Sequence, residues 1–364
     1  MVNSPRPIVV VEDDPFLRLI QVILDPATPA VRMTAFSEFF AHELPDFKGW
    51  CQRLRARIGS FYPCKVRLVT DEAMLLENLP GAQVVMVEAF GIGAREIAAA
   101  GSTLKIVQKY GTVTSRIDLA ACEHAGIRVL TLRRRANIAC AEHALAMMLA
   151  LARKLNETVG LVSTRQLRAA GYSPTCYNRA HTPNANWARI SGIRTLFGGQ
   201  IGIIGLGEIG RELALRASAL GMRIAYTQRR RLPADEERSY QATYCTLDQL
   251  LAISDCVSLH LPGGPSTRSI IGCRELAMIK PGALLINVSR AELVERGALI
   301  EALASGRLGG FGLDPPYDEP GQENDPLLGL HNVIVTPHLG GAPKFNALGD
   351  FEELMANVVQ GLRR

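Results

Sequence analysis

The sequence contains no apolar run long enough to cross a membrane, and its longest one, residues 144–152, is about half a membrane span. We also expect no secretory signal, because only the short apolar run at residues 8–11 precedes Glu12, whereas a signal peptide needs roughly 7–15 apolar residues. The eight cysteines have neither CxxC nor any other metal-type spacing. We therefore expect reduced thiols in a cytoplasmic protein that has no membrane partner and no bound metal.

A basic stripe with interleaved aromatic residues, typical of nucleic-acid binding, is also missing. The net charge of +5 is instead concentrated in two arginine triplets, at residues 133–135 and 229–231. Each triplet lies in a predicted loop, where basic side chains usually form a solvated surface. We expect small anionic ligands as partners and no nucleic acid.

Low-complexity segments are absent as well, and 364 residues are enough for two domains of ordinary size. Short runs rich in Val, Ile and Leu alternate with helix-like segments, which predicts parallel sheets covered on both faces. The predicted strands lie at 8–11, 66–69, 84–87, 104–107 and 127–130 in the first domain, and at 201–204, 223–226, 256–259, 284–287 and 333–335 in the second.

Three segments stand outside this alternation. Residues 137–155 predict a long helix that is apolar nearly all round, and it is therefore expected to be buried between domains or between subunits. Residues 34–62 are rich in aromatic side chains, which predicts either an extra helical layer on the first domain or a hydrophobic flap over the active site. Residues 156–198 are predicted to be irregular.

Gly205, Gly207 and Gly210 form a GxGxxG pattern between a predicted strand and a predicted helix, a context that indicates a dinucleotide site. Gly205 permits a tight turn, Gly207 lets the backbone approach the pyrophosphate, and Gly210 allows close packing of helix on strand. The N-terminus of the following helix offers free N–H groups and a partial positive charge to the phosphates.

The position that usually carries an acid for the ribose 2′-hydroxyl holds Gln228, and Arg229, Arg230 and Arg231 follow it. No carboxylate at this point repels a 2′-phosphate, and three guanidinium groups are available to pair with one. We therefore expect NADP(H) as the preferred cofactor. NAD(H) is the alternative if the triplet is only an exposed turn.

Several motifs follow one another in order between about residue 104 and the C-terminus. They are Ile117-Asp-Leu-Ala-Ala, Ala141-Glu-His-Ala-Leu, Gly205-Leu-Gly-Glu-Ile-Gly, Leu259-His-Leu-Pro, Ile286-Asn-Val-Ser-Arg, Leu313-Asp, Glu319-Pro and Thr336-Pro-His-Leu-Gly-Gly. With these motifs the chain resembles the D-isomer-specific 2-hydroxyacid dehydrogenases, which include phosphoglycerate dehydrogenase and glyoxylate/hydroxypyruvate reductases. The resemblance implies an oxidoreductase that moves hydride between a nicotinamide cofactor and the α carbon of a small 2-oxo or 2-hydroxy acid.

The resemblance assigns the catalytic roles to Arg290, Glu319 and His338, and the chemistry asks for the same residue types. A guanidinium binds a carboxylate and polarises a carbonyl. A histidine can donate the proton that a developing alkoxide needs, and an adjacent carboxylate stabilises the imidazolium form. His260 and His143 are interpreted as structural residues instead.

The resemblance also implies further contacts to cofactor and substrate. Besides the glycine turn and Gln228, Arg229 and Arg230, the implied cofactor contacts are Glu208, Ile209, Leu261, Pro262, Thr267, Val288, Ser289, Arg290, Asp314, His338 and Gly340. Asp314 matches the acid that lies near the nicotinamide carboxamide in the family. The implied substrate contacts are Tyr110, Gly111, Thr112, Val113 and Arg290.

The substrate loop departs from the family pattern at Val113, which replaces the second glycine of Gly-x-Gly-x-Asp. A left-handed backbone at that position would be costly for valine. A substrate like glyoxylate or hydroxypyruvate is expected, but the sequence does not decide which acid is used. In the next loop, Arg133 and Arg134 either line a site for an acidic substrate or form a solvated surface.

The predicted architecture is α/β, with two doubly wound parallel-sheet domains and the active site in the cleft between them. The resemblance implies a flavodoxin-like substrate domain at residues 1–136 and 343–364, a Rossmann cofactor domain at residues 137–342, and a homodimer that uses the long helix. A binding protein or corepressor that senses NAD(P)(H) on the same fold is the alternative function, because it can retain the same motifs.

Overall fold

The computed structural model describes residues 6–363, and the chain divides into two compact units. One unit comprises the chain up to Ala139 together with the segment from Gly341 onward, and the other comprises Cys140–Gly340. The roles of these units as substrate domain and cofactor domain stay a prediction. Among the described residues, no helix combines the length and the apolar character that a membrane span requires.

The first unit is built on a five-stranded sheet in which every pair of neighbours is parallel. Its strands are β1 (Ile8–Glu12), β2 (Lys65–Val69), β3 (Val84–Val87), β4 (Ile106–Lys109) and β5 (Arg128–Leu130). Their order, β2-β1-β3-β4-β5, is the flavodoxin-like doubly wound order, which confirms the predicted fold class for this half of the chain.

Helices cover both faces of this sheet. They are α1 (Leu19–Leu24), α2 (Ala30–Phe40), α3 (Phe47–Ile58), α4 (Glu72–Asn78), α5 (Ala94–Ala100), α6 (Leu119–His124) and the C-terminal helix (Phe345–Arg363), with short 3-10 turns at Gly59–Phe61 and Gly101–Thr103. One hydrophobic cluster joins α1, α3 and the C-terminal helix to the sheet, and a second cluster joins α4, α5 and α6 to its other face.

The aromatic segment at residues 34–62 belongs to the first of these clusters. Phe40, Phe47 and Trp50 are all buried, and their rings stack in series with centroid separations of 5.3 and 5.7 Å. Stacked aromatic rings of this kind bury large apolar areas in a core. The structure therefore supports the predicted helical layer rather than a flap.

The second unit is built on a seven-stranded, entirely parallel sheet. Its strands are β6 (Gln200–Ile204), β7 (Arg223–Thr227), β8 (Ala242–Tyr244), β9 (Cys256–Leu259), β10 (Leu284–Asn287), β11 (Gly310–Leu313) and β12 (Val333–Val335), in the order β12-β11-β10-β9-β6-β7-β8. Successive strands are added in one direction from β6 to β8 and in the other from β9 to β12, so the strand order reverses between β6 and β9 as in a Rossmann fold. The predicted class is confirmed here too.

Two of these strands, β8 and β11, were not predicted from the sequence. Strand β8 has only three residues, and β11 contains Gly310 and Gly312, whereas glycine is depleted in strands. The glycines are needed because a Cβ atom on Gly312 would lie 2.9 Å from the Met147 sulfur, and one on Gly310 would lie 3.2 Å from Cδ2 of Leu151. Glycine thus marks the close approach of a helix to the strand.

That helix is α7 (Arg135–Ala152), the long apolar helix predicted at 137–155. The remaining helices are α8 (Leu155–Thr158), α9 (Thr164–Ala169), α10 (Glu208–Ala219), α11 (Ala234–Ser239), α12 (Leu247–Ile253), α13 (Cys273–Met278) and α14 (Arg296–Ala304), with 3-10 turns at Ala291–Leu293 and Pro326–Gly329. Residues 170–199 are irregular, as predicted, whereas α8 and α9 were not predicted.

An ion pair within the first unit links the start of α7 to the C-terminal helix. The Asp350 carboxylate is fully buried and accepts hydrogen bonds from the backbone N–H of Arg135, at 3.1 Å, and from its Nη1 atom, at 2.8 Å. Burial raises the pKa of Asp350. The other edge of the same guanidinium donates to the exposed Glu353, also at 2.8 Å. Arg135 therefore has a structural role and is not available to a ligand.

The two partners of Arg135 should differ in their contribution to stability. We expect Asp350→Ala to lower the free energy of unfolding of the first unit by about 2 kcal/mol, because it leaves a backbone N–H and a charged group without their buried acceptor. The matched variant Glu353→Ala removes an exposed partner and should cost less than about 1 kcal/mol. Urea unfolding, followed by the fluorescence of the buried Trp50 in a Trp187→Phe background, measures both. Equal losses would contradict this interpretation.

Candidate active site

The predicted site residues of the second unit follow the carboxyl ends of its strands. The glycine turn follows β6, Leu261 follows β9, Arg290 follows β10, Asp314 follows β11 and His338 follows β12. Because all seven strands are parallel, these ends lie along one edge of the sheet, where doubly wound folds bind their ligands. The tertiary structure thus collects residues that are separated by up to 133 positions in the sequence, the distance from Gly205 to His338.

The glycine turn has the geometry of a dinucleotide cradle. Gly205 has a φ of +96°, and a Cβ atom there would lie 2.5 Å from the carbonyl oxygen of His260. A Cβ on Gly210 would overlap the carbonyl oxygen of Gly205. At Gly207, by contrast, a Cβ would have no neighbour within 4 Å among the described residues, so the backbone borders open space. Gly207 is also the N-cap of the 12-residue helix α10, which begins with Glu208 and Ile209. A pyrophosphate group fits these features.

The loop after β7 is tied to the glycine turn by Gln228. Its Oε1 atom accepts a hydrogen bond from the Leu206 N–H at 3.1 Å, and its Nε2 atom donates to the carbonyl oxygen of Arg230 at 2.7 Å. The side chains of Arg229 and Arg230 are exposed and form no hydrogen bond or ion pair with residues 6–363.

Arg231 departs from the expectation that all three arginines are available. Its Nε and Nη2 atoms bind the two carboxylate oxygens of Glu237 at 2.8 and 2.9 Å. Hydrogen bonds from Arg231 and from the Tyr226 hydroxyl lower the pKa of Glu237 to about 2. Two guanidinium groups, rather than three, are therefore free to meet a 2′-phosphate.

Arg290 projects from a rigid turn. The buried Asn287 side chain donates to the Arg290 carbonyl oxygen at 2.7 Å and accepts from the Ser289 N–H at 3.1 Å, while the Ser289 hydroxyl donates to the Leu259 carbonyl at 2.8 Å. Val288 and Ser289 are buried, so a cofactor could reach little more than their backbone. The Arg290 side chain itself is exposed, and one Nη atom donates to the Ser289 carbonyl at 2.6 Å.

Glu319 and His338 are brought into direct contact. The Glu319 Oε1 atom lies 2.8 Å from Nδ1 of His338, and both side chains are about half exposed. The contact occupies Nδ1 and leaves Nε2 as the ring nitrogen that can exchange a proton with a ligand. His338 has a φ of +59°, in the left-handed region that side-chain-bearing residues seldom occupy. No contact joins Arg290 to either residue within the described part of the chain.

Asp314 does not have the free carboxylate that a cofactor contact would suggest. It is 2% exposed, and its two oxygens accept hydrogen bonds from the N–H groups of Leu339 and Gly340 at 2.8 Å each and from the Thr336 hydroxyl at 2.7 Å. The carboxylate therefore stabilises the loop that carries His338. Gly340 takes part in the same contact through its backbone N–H. A direct bond from Asp314 to the nicotinamide carboxamide would have to compete with these donors.

The loop after β9 borders the glycine turn. Cδ2 of Leu261 would lie 2.9 Å from a Cβ on Gly205. Within the loop, the Thr267 hydroxyl donates a hydrogen bond to the Pro262 carbonyl oxygen at 2.7 Å. Within this loop His260 is structural, because its Nε2 atom lies 2.9 Å from the Ser258 hydroxyl and burial lowers its pKa to about 3.

The predicted substrate loop belongs to the first unit. Tyr110 is 1% exposed and stacks on Phe351 with a centroid separation of 5.5 Å. The Arg134 guanidinium carbon lies over the Tyr110 ring, 4.1 Å from its centroid. A substrate could therefore reach only the backbone of Tyr110. Gly111 has a positive φ of 152°, but Val113 does not, so valine is accommodated there without strain. Thr112 lies between them, and Arg134 acts in packing.

Two polar residues that support the site were not predicted from the sequence. Asn287 ends the otherwise apolar strand Leu284–Asn287, and Thr336 follows the apolar strand Val333–Val335 directly. A polar residue at the carboxyl end of a buried strand is a signal that could have identified both.

Comparison with known proteins identifies a family. The family model described as D-isomer specific 2-hydroxyacid dehydrogenase, NAD binding domain, matches residues 145–340. A hydroxypyruvate reductase of Thermotoga maritima is 34% identical over 276 residues, which cover 74% of this chain and 81% of that protein. A glyoxylate reductase of Thermococcus gammatolerans is 44% identical over 161 residues, which cover 44% of this chain and 47% of that protein. The match thus spans about half the length of that relative.

Solved structures give the same fold. A glyoxylate reductase from Paecilomyes thermophila has a TM-score of 0.56 at 24% identity, covering 99% of this chain and 97% of that one. A D-mandelate dehydrogenase from Rhodotorula graminis has a TM-score of 0.54 at 23% identity, covering 98% of this chain and 94% of that one. At these identities the likeness concerns the fold.

Two glycines of the turn should respond differently to alanine. We expect Gly210→Ala to destabilise the second unit by about 2 kcal/mol, because its methyl group overlaps the Gly205 backbone. Gly207→Ala should leave the thermal unfolding midpoint within about 2 °C, because its Cβ meets open space and its φ is −81°. Gly207→Ala should nevertheless weaken NAD(P)H binding at least about tenfold, because the methyl group fills the cradle. Thermal unfolding and NAD(P)H fluorescence titration measure the two effects, and unchanged binding by Gly207→Ala would rule out the cradle.

Proposed function

Because the chain belongs to the D-isomer-specific 2-hydroxyacid dehydrogenase family, we propose that it is an oxidoreductase that transfers hydride between a nicotinamide cofactor and the α carbon of a small 2-oxo or 2-hydroxy acid. The observation that carries this proposal is the 2.8 Å contact between Glu319 and His338 at the sheet edge that also carries Arg290 and the glycine turn. The three catalytic roles rest on this arrangement and on the family resemblance.

The cofactor, when bound, supplies or accepts the hydride at its nicotinamide ring. The chain's own residues supply the remaining requirements. The exposed Arg290 guanidinium binds the substrate carboxylate and draws electron density from the 2-oxo group. Nε2 of His338 gives a proton to the oxygen as the alkoxide forms and takes it back in the oxidative direction. Glu319 holds Nδ1 and stabilises the imidazolium form.

Removing the proton donor should slow turnover far more than it weakens cofactor binding. We expect His338→Gln to lower kcat for 2-oxo acid reduction by about a thousandfold, and to raise the dissociation constant for NADPH by no more than about tenfold, because His338 is also an implied cofactor contact. The matched control is His124→Gln, an exposed helix histidine of the first unit that should have no effect.

The assay follows NAD(P)H oxidation with glyoxylate, hydroxypyruvate and longer 2-oxo acids. If the parent protein turns over none of these acids but binds NAD(P)H tightly, the dehydrogenase function is excluded and a nucleotide-sensing function is favoured.

We propose NADP(H) as the preferred cofactor, with NAD(H) as the alternative. Arg229 and Arg230 support this preference because their guanidinium groups are exposed and uncommitted just after β7, where the adenosine ribose is expected. Arg231 contributes indirectly, because its ion pair with Glu237 neutralises one of the carboxylates of α11, the helix that follows the loop.

Dissociation constants for NADPH and NADH test the cofactor preference. An arginine–phosphate contact contributes about 1.5–3 kcal/mol, so we expect NADPH to bind at least about tenfold more tightly than NADH. Arg229→Ser and Arg230→Ser should each reduce this preference and leave the affinity for NADH unchanged. Arg238→Ser, which removes an exposed arginine from α11, is the control. A preference of less than about threefold in the parent protein would contradict the proposal.

For the substrate, we propose a short 2-oxo acid of the glyoxylate or hydroxypyruvate type, following the activities named for the relatives. The contacts from Gly111, Thr112 and Val113 stay a prediction. We also propose a homodimer that uses the long helix α7 and a cytoplasmic location. The location is supported by the eight cysteines, which are all free thiols in the structure.

A further inference from the structure

The side chains of His143, Thr336 and Asp314 form a chain of hydrogen bonds. The chain ends at Asp314, which binds the backbone of the loop that carries His338. His143 lies on α7 with its Nε2 atom 2.9 Å from the Thr336 hydroxyl oxygen. The same hydroxyl lies 2.7 Å from Oδ1 of Asp314. The His143 Nε2 atom is 4.0 Å from that carboxylate oxygen, so the threonine connects the two. The sequence did not predict a positioning role for any of these three residues.

The direction of these hydrogen bonds follows from the donors that are present. A threonine hydroxyl has a single proton, and a carboxylate oxygen can only accept. The Thr336 proton therefore points to Asp314, at 2.7 Å, rather than to the Leu313 carbonyl at 3.5 Å. The hydroxyl oxygen is left to accept, and so the His143 Nε2 atom must carry a proton. The sequence of donation is His143 to Thr336 to Asp314.

Asp314 in turn fixes the backbone on the C-terminal side of His338. Its two oxygens accept from the N–H groups of Leu339 and Gly340, the two residues that follow the histidine. On the N-terminal side, the His338 N–H donates to the Thr336 carbonyl at 3.0 Å. Since His338 has a φ of +59°, the turn needs such contacts to persist, because a non-glycine residue seldom adopts this conformation unaided.

We propose that His143 and Thr336 are positioning residues that act through Asp314 to fix the left-handed turn at His338, and hence the position of its Nε2 atom. This proposal rests on the proposed function for its effect on turnover. It gives a positioning role to His143, which the sequence alone indicated as a structural residue. Neither His143 nor Thr336 needs to touch the substrate or the cofactor for this role.

The hydrogen-bond chain can be tested without any turnover, by NMR of protein labelled with [15N]histidine. The His143 signals are identified by their absence from the His143→Phe variant. We expect the proton on Nε2 of His143, protected from exchange with water, and we expect this protection to be lost in Thr336→Val but kept in Thr336→Ser. A bare Nε2 atom in the parent protein would overturn the proposal.

The positioning role is tested by separating kcat from binding. Thr336→Val keeps the shape but removes the hydroxyl, and should lower kcat for 2-oxo acid reduction by about tenfold, because a small displacement of the proton donor is costly. His143→Phe should lower kcat by about threefold. Both should leave the dissociation constant for NAD(P)H within about twofold of the parent value. Thr336→Ser should restore most of the kcat that Thr336→Val loses.

Two results would overturn the positioning role. One is a Thr336→Val variant with a lower thermal midpoint and an unchanged kcat, since the network would then serve stability alone. The other is a cofactor dissociation constant that rises in step with the loss of activity, which would show that Asp314 acts on the nicotinamide. If the parent protein reduces no 2-oxo acid, the proposed function fails, and the NMR result still decides whether the hydrogen-bond chain exists.

Discussion

The constraint on which the candidate site depends is the parallel pairing of all seven strands in the second unit. Parallel strands place their carboxyl ends at one edge, and every return to the next strand requires a connection on a face of the sheet. Loops that are far apart in sequence are therefore gathered at this edge. The glycine turn, Arg290 and His338 need no direct contact with one another, because the register of the strands already places them along the same line.

Buried polar side chains at the strand ends convert this placement into fixed geometry. Asn287 holds the turn of Arg290, and Asp314 holds the turn of His338, each through hydrogen bonds to backbone groups. The first unit uses the same device, because the buried Glu12 at the end of β1 accepts from the N–H groups of residues 88–90. A buried carboxylate is tolerated only when it is paired or hydrogen-bonded in this way. Exposed functional side chains can thus project from rigid turns.

Which arginine side chains are available to a ligand depends on their local partners and not on the overall charge of the chain. The two arginine triplets look alike in the sequence, yet Arg135 is committed to Asp350, Arg134 stacks on Tyr110 and Arg231 is committed to Glu237. The ion pairs remove Arg135 and Arg231 from ligand binding, whereas Arg229 and Arg230 are exposed and have no carboxylate partner among residues 6–363. The proposed preference for NADP(H) therefore rests on which arginines the fold has left without a carboxylate, and the count of basic residues does not reveal it.

The sequence by itself determined the fold class and most of the strands, because periodic apolar runs and glycine spacing are local properties. The contiguous GxGxxG pattern also indicated the glycine turn, and the family resemblance carried by the ordered motifs predicted that Glu319 and His338 act as a pair. Strand β11 was not predicted because its glycines are required by the close packing of α7 on the strand, and that packing is a tertiary contact. The commitment of Arg231 and the role of Asp314 were likewise decided only by the tertiary structure, since a side chain's partner depends on which distant groups folding brings within hydrogen-bond distance.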